Sequence, residues 1–153
     1  MPAPMRSPAL VALPLLAVVG CGPDALDGAF TCTARVDVGY ADGKRETIEV
    51  PGDAVTIRPA TRHYQYYEYA VTARGCAVTA EGDVSSAAFK GREAGCTLDV
   101  PKVGAIPLER ISGGVSREPG KRFSKDGVYV QIQSMPTAGR FSSVAYTCHG
   151  RPR

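Results

Sequence analysis

Apolar and polar residues alternate one by one along most of this chain, a period-two pattern that predicts strands with one buried face. In AFTCTARVDVGY, Phe30, Cys32, Ala34, Val36, Val38 and Tyr40 share a face, with Thr31, Thr33, Arg35 and Asp37 opposite. Ile48 and Val50 point inward between Arg45, Thr47 and Glu49, and Val55 and Ile57 continue after Pro51-Gly52. HYQYYEYAVTA (63–73) is rich in strand formers, and Cys76–Ala80 and Cys96–Val100 alternate again. Late in the chain Val128, Val130 and Ile132 share a face, as do Val144, Tyr146 and Cys148. Turn chemistry separates these runs at Ala41-Asp42-Gly43-Lys44, Pro51-Gly52-Asp53, Arg74-Gly75, Glu81-Gly82-Asp83, Pro119-Gly120-Lys121, Asp126-Gly127 and Ala138-Gly139. LERISGGVS (108–116) has room for one helical turn before Gly113-Gly114 ends it. Eight to ten short strands predict an all-β fold: an antiparallel up-and-down barrel of about 8 strands, with a β-sandwich as the alternative.

The beginning of the chain breaks this pattern. Arg6 is the one charge before a run from Pro8 to Gly20 with no charged residue, interrupted at Pro14. The run is shorter than the roughly 20 apolar residues of a spanning helix and has the layout of a secretory signal peptide over residues 1–20. Its end, Val18-Val19-Gly20-Cys21, resembles the bacterial lipobox, with valine at the position where leucine is commonest. The resemblance implies cleavage before Cys21 and attachment of lipid to its sulfur, and acyl chains at about 0.8 kcal/mol per buried CH₂ hold such a protein on a membrane. Gly22 follows, where an aspartate would mark inner-membrane retention, so the expected address is the outer membrane, with the domain in the periplasm or at the cell surface. Residues 21–28 then form a lipidated cysteine and tether, 29–150 one β domain, and 151–153 a tail.

Setting Cys21 aside changes the cysteine arithmetic. Five cysteines become four, Cys32, Cys76, Cys96 and Cys148, which an oxidising periplasm would pair. Four cysteines admit three pairings. An up-and-down barrel would bring the first and last strands together, so that Cys32 and Cys148 staple the seam and Cys76 and Cys96 join nearby strands. A sandwich would favour Cys32 with Cys96, although no tryptophan is present to pack on such a bridge. The succession "DGAFTCTA", "GCAVTAEG", "GCTLDV" and "AYTCHG" resembles small lipoproteins of GC-rich bacteria, notably myxobacteria. That resemblance implies a lipocalin-like or calycin-like barrel and carries no substrate with it.

Charge and motif content narrow the function. With Arg6 in the leader, the remaining Lys and Arg of the 18 exceed the 15 Asp and Glu by about two, too little to draw the domain to nucleic acid. No Cys-x-x-Cys and no Gly-x-Ser-x-Gly occurs; Gly113-Gly114-Val115-Ser116-Arg117 comes nearest and lacks the last glycine. The two histidines, His63 and His149, have no ligand spacing, so no metal or cofactor is expected beyond the covalent lipid on Cys21. Tyr67 and Tyr69 read as core, whereas Tyr64 and Tyr66 beside Arg62 read as a surface for a partner. The expectation is a non-catalytic envelope lipoprotein with a structural or interaction role and an envelope protein as partner. Carriage of a small apolar ligand inside the barrel is the alternative, to be judged by whether the interior is filled.

Overall fold

Residues 3–4, 24–90, 95–136 and 139–153 are described by the computed structural model. Cys21, Gly22 and the predicted leader apart from residues 3 and 4 lie outside the described residues, as does Ala138 of the last turn signal. Ten strands follow: β1 (Gly28–Tyr40), β2 (Arg45–His63), β3 (Tyr66–Ala73), β4 (Cys76–Gly82), β5 (Ser86–Phe89), β6 (Cys96–Val100), β7 (Gly104–Leu108), β8 (Ser112–Glu118), β9 (Gly127–Ser134) and β10 (Phe141–Pro152). Eight of them close an antiparallel barrel in the order β1-β10-β9-β8-β5-β4-β3-β2, and β6 and β7 pair only with each other. Chain neighbours are therefore sheet neighbours, with one hairpin inserted between β5 and β8. The up-and-down barrel is the fold; the sandwich is not.

Alternation explains the interior. Val36, Val38, Val55, Ile57, Val71, Val130 and Ile132 are all buried, each flanked by more exposed neighbours on its strand or by a bulge. Turn residues sit where two-residue hairpins need them: Arg74 and Gly75 have φ of 49° and 79°, the left-handed pair of a tight β3–β4 turn. Two sequence expectations change. Pro51-Gly52-Asp53 is not a turn between strands but a bulge inside the 19-residue β2. Cys32 pairs with Asp53 and Ala34 with Val50, so β2 carries one extra residue there, with Gly52 at φ 66°. The bulge also resets the pleat, which places Val50, Asp53 and Val55 all inside. Likewise Gly113-Gly114 ends no helix and lies within β8. A Cβ on Gly113 would stand 2.1 Å from the Gln131 carbonyl, and one on Gly114 2.1 Å from that of Ala87. Glycine lets the short β5 and the neighbouring β9 approach β8 that closely.

The two bonds between cysteines are Cys32–Cys148 and Cys76–Cys96. The first joins β1 to β10 across the closing seam, facing inward. The second ties the start of β4 to the start of β6, and so fastens the inserted hairpin to the barrel end that carries the β1–β2 and β3–β4 turns. There the Asp99 amide donates to the Arg74 carbonyl (2.9 Å) and the Glu109 amide to Ser134 Oγ (3.0 Å). Leu98, Val100, Ile106 and Leu108 are buried, so the hairpin covers this mouth of the barrel with apolar side chains. The predicted tail is ordered: Phe30 pairs with Pro152 and Thr31 with Arg151, which extends β10 almost to the last residue.

Candidate functional site

The opposite mouth, where β1 begins and β10 ends, is closed by the segment just before β1. Leu26 is buried there, 2% exposed, beneath a chain that crosses the opening. Its amide donates to the Tyr69 hydroxyl (3.4 Å), and that hydroxyl donates to the Asp83 carbonyl (2.7 Å). Tyr69 is fully buried on β3, and burial pushes its phenol up. On one side of the mouth Asp27 pairs with Arg58 of β2 at 2.8 Å. On the other, the Asp24 carbonyl accepts from Arg117 Nη2. From Asp24 onward, the stretch expected to be a short tether packs as part of the barrel rim.

Arg117 organises this rim. It follows Val115 at the inward parity of β8, and its guanidinium reaches three segments. Nε donates to the Val84 carbonyl in the β4–β5 turn (3.1 Å), Nη1 to Asp126 in the β8–β9 loop (3.2 Å), and Nη2 to Asp24. Asp126 also accepts from the Gly120 amide at 2.8 Å; that bond, with Arg117, lowers its carboxyl below the ordinary range. Asp83 is lowered in the same way by the Ser85 hydroxyl and then by the Ser85 and Ser86 amides. Between the N-terminal segment, the β8–β9 loop and the end of β10 an open cleft of about 630 Å³ remains. Sequence reasoning missed Arg117. Its one trace is a cation at the inward position two residues after Val115.

The predicted partner residues fall beside this rim. β2 and β3 continue past Gly28, which pairs with Ile57, so their turn projects beyond β1. Tyr64 at its tip is 95% exposed, with φ 56°. Arg62 donates through Nε to the Tyr64 carbonyl (2.9 Å) and lies over the Tyr67 ring at 5.5 Å. Tyr66 faces the outer wall, where its hydroxyl donates to Glu81, which also pairs with Lys90. The bond to Glu81 pushes the Tyr66 phenol up. The structure therefore keeps Arg62 and Tyr64 together at the turn and turns Tyr66 to the side. Tyr67 and Tyr69 are core, as expected.

The interior offers a separate view of function. Fully buried side chains, Tyr69 and Tyr146 the largest, occupy it from mouth to mouth. Tyr146 donates to Asp53 at 2.7 Å, and Arg74 reaches the same carboxylate at 3.2 Å. Three further clefts, of about 430, 470 and 530 Å³, lie on the outer wall or the far end. No group of three or more metal-binding side chains occurs among the described residues. His149 contacts Glu118 at 2.6 Å and the Tyr129 ring at 4.7 Å, both on the outer wall. Comparison of the chain with family models, with curated proteins and with solved structures finds no match.

Proposed function

We propose that this protein is a membrane-anchored bacterial lipoprotein whose β domain has a non-catalytic structural or interaction role in the envelope. The observation that carries the reading is the lipobox-like Val18-Val19-Gly20-Cys21, placed three residues before a segment built into the barrel rim. Two disulfides are consistent with an oxidising compartment. The interior supports interaction over ligand carriage, because aromatic and branched side chains fill the space a lipocalin-like carrier would leave for cargo. Arg62 and Tyr64, exposed on a projecting turn, are the partner-facing residues of this reading, with Tyr66 beside them on the wall. Its test is Cys21→Ser: fractionation should move the protein from membranes to the soluble periplasm and abolish fatty-acid labelling. Undiminished membrane association of Cys21→Ser would overturn the proposal.

A further inference from the structure

The rim next to Asp24 carries more than the cleft. The β8–β9 loop, residues 119–126, rises beside it and presents Lys121, Arg122, Phe123 and Lys125. Phe123 is 98% exposed with φ 72°, its ring against solvent on one side and under the Arg122 guanidinium, 5.4 Å away, on the other. A single exposed phenyl group is ordinary on a protein surface; what distinguishes this one is its place at the tip of a cationic loop on the same rim as Asp24. The carboxylates nearby are largely occupied: Asp126 by Arg117 and the Gly120 amide, Asp27 by Arg58, Glu118 by His149. Lys121, Lys125, Arg151 and Arg153 make no ion pair among the described residues, and with only the Asp24 and Asp83 carboxylates likewise unpaired here this rim keeps an excess of positive charge. Tyr64, the other aromatic that is almost fully exposed, projects from the same end on the β2–β3 turn. At the far end Asp42, Glu46, Glu49, Asp99 and Glu109 offset Lys44, Arg45, Lys102, Arg110 and Arg140, and Met135 is exposed there.

The reach of the chain fixes what can meet this rim. Three peptide links separate Cys21 from Asp24, and at about 3.3–3.6 Å each they extend no more than roughly 11 Å. Asp24 is itself bonded to Arg117 at the foot of the β8–β9 loop. An acyl chain on Cys21 therefore holds the bilayer surface at this end of the barrel, beside the cleft that Asp24 shares with Ser124 and Lys125 of the β8–β9 loop. We infer that this end of the barrel lies on the membrane, with Phe123 set among the headgroups and Lys121, Arg122 and Lys125 against anionic phospholipid. Phe is among the apolar side chains that interfacial anchors bury at the headgroup–acyl boundary, and each basic residue near an anionic surface is worth about fivefold in occupancy. The inference rests on the lipoprotein reading and adds to it an orientation and a lipid chemistry.

The chain has no tryptophan, so a single indole reports position without background. Full-length acylated Phe123→Trp and Met135→Trp would be reconstituted in vesicles of phosphatidylcholine, with and without a third of phosphatidylglycerol, with brominated acyl chains as quencher. The indole of Phe123→Trp should be quenched, more strongly with phosphatidylglycerol, and that of Met135→Trp should not. Adding Lys121→Glu, Arg122→Glu and Lys125→Glu should abolish the phosphatidylglycerol-dependent part while the protein still floats with the vesicles. Equal quenching at both positions, or none at position 123 in an acylated, floating protein, would overturn the orientation alone. A chain whose intact mass shows no acyl group overturns the lipoprotein reading, and the orientation with it.

Discussion

Asp53 is an acid inside an apolar barrel, and its surroundings account for it. The β2 bulge turns its side chain inward, where Tyr146 and Arg74 satisfy it, and among the described residues no buried side-chain polar atom lacks a partner. A hydrogen bond from a buried phenol to a carboxylate is worth about 1.5–3 kcal/mol, so Tyr146→Phe should destabilise the domain by about 2 kcal/mol at neutral pH in urea unfolding. Burial first, then the bond to Asp53, holds the Tyr146 phenol well above its ordinary value of about 10. The folded state thus favours the protonated phenol, and the stability it supplies is complete below about pH 10 and lost as pH rises further. The gap between wild type and Tyr146→Phe should accordingly shrink above pH 10; a gap that stays constant would contradict the assignment. Asp53 was not legible in the sequence, because Pro51-Gly52-Asp53 has the same letters whether it turns a chain back or adds one residue to a strand. Arg117 was hidden for a related reason: Asp24 and Val84 are remote from it in the chain, Asp126 lies across a loop, and they meet only at the rim.

Among the elements, the β6–β7 hairpin is the one fastened from outside the barrel ladder. Its strand ladder is only with itself, so its hold depends on the Cys76–Cys96 bond, the Asp99 backbone bond to Arg74, the Glu109 contact and four buried apolar side chains. A 20-residue span closed by a disulfide contributes about 3 kcal/mol by loop entropy. In Cys76→Ser/Cys96→Ser the amides of 96–108 should exchange about a hundredfold faster, with little change in β1 and β10. Uniform acceleration over the entire barrel would show instead that the hairpin is part of the global folding unit. Strand existence was the most legible property of the chain, since alternation reports a half-buried face wherever it occurs. What alternation could not distinguish was barrel strand from covering hairpin: Cys96–Val100 and Val128–Ile132 show the same period, yet only the second belongs to the ring. Gly113 and Gly114 misled for a comparable reason, because a glycine that permits close approach of two strands looks like one that ends a helix.

For the molecule as a whole, closure is the property that matters, and β1 and β10 supply it. The Cys32–Cys148 bond restrains a span of 116 residues, worth about 5 kcal/mol in the unfolded chain and so comparable with the whole margin of a small domain. Cys32→Ala/Cys148→Ala should lower the unfolding midpoint more than loss of Cys76–Cys96, by the equivalent of about 2 kcal/mol; equal shifts in parallel thermal melts would sink that ranking. Cysteine parity and first-to-last strand pairing made this bond foreseeable once Cys21 was set aside. The rim was not foreseeable, because it is assembled from loops that only closure brings to one end. The same pairing has a topological consequence. The Arg153 amide donates to the Ala29 carbonyl at 3.0 Å, so the strand that opens the ring and the strand that completes it finish side by side. A ring of this kind has no intrinsic starting point, and a short link there, with a new opening at Asp42-Gly43, would leave every pairing of the ladder in place. Such a circular permutant would carry its leading residue at the far end, setting an anchor placed there against Phe123 and its basic neighbours. Which way the barrel stands would then be decided by where the ring is cut.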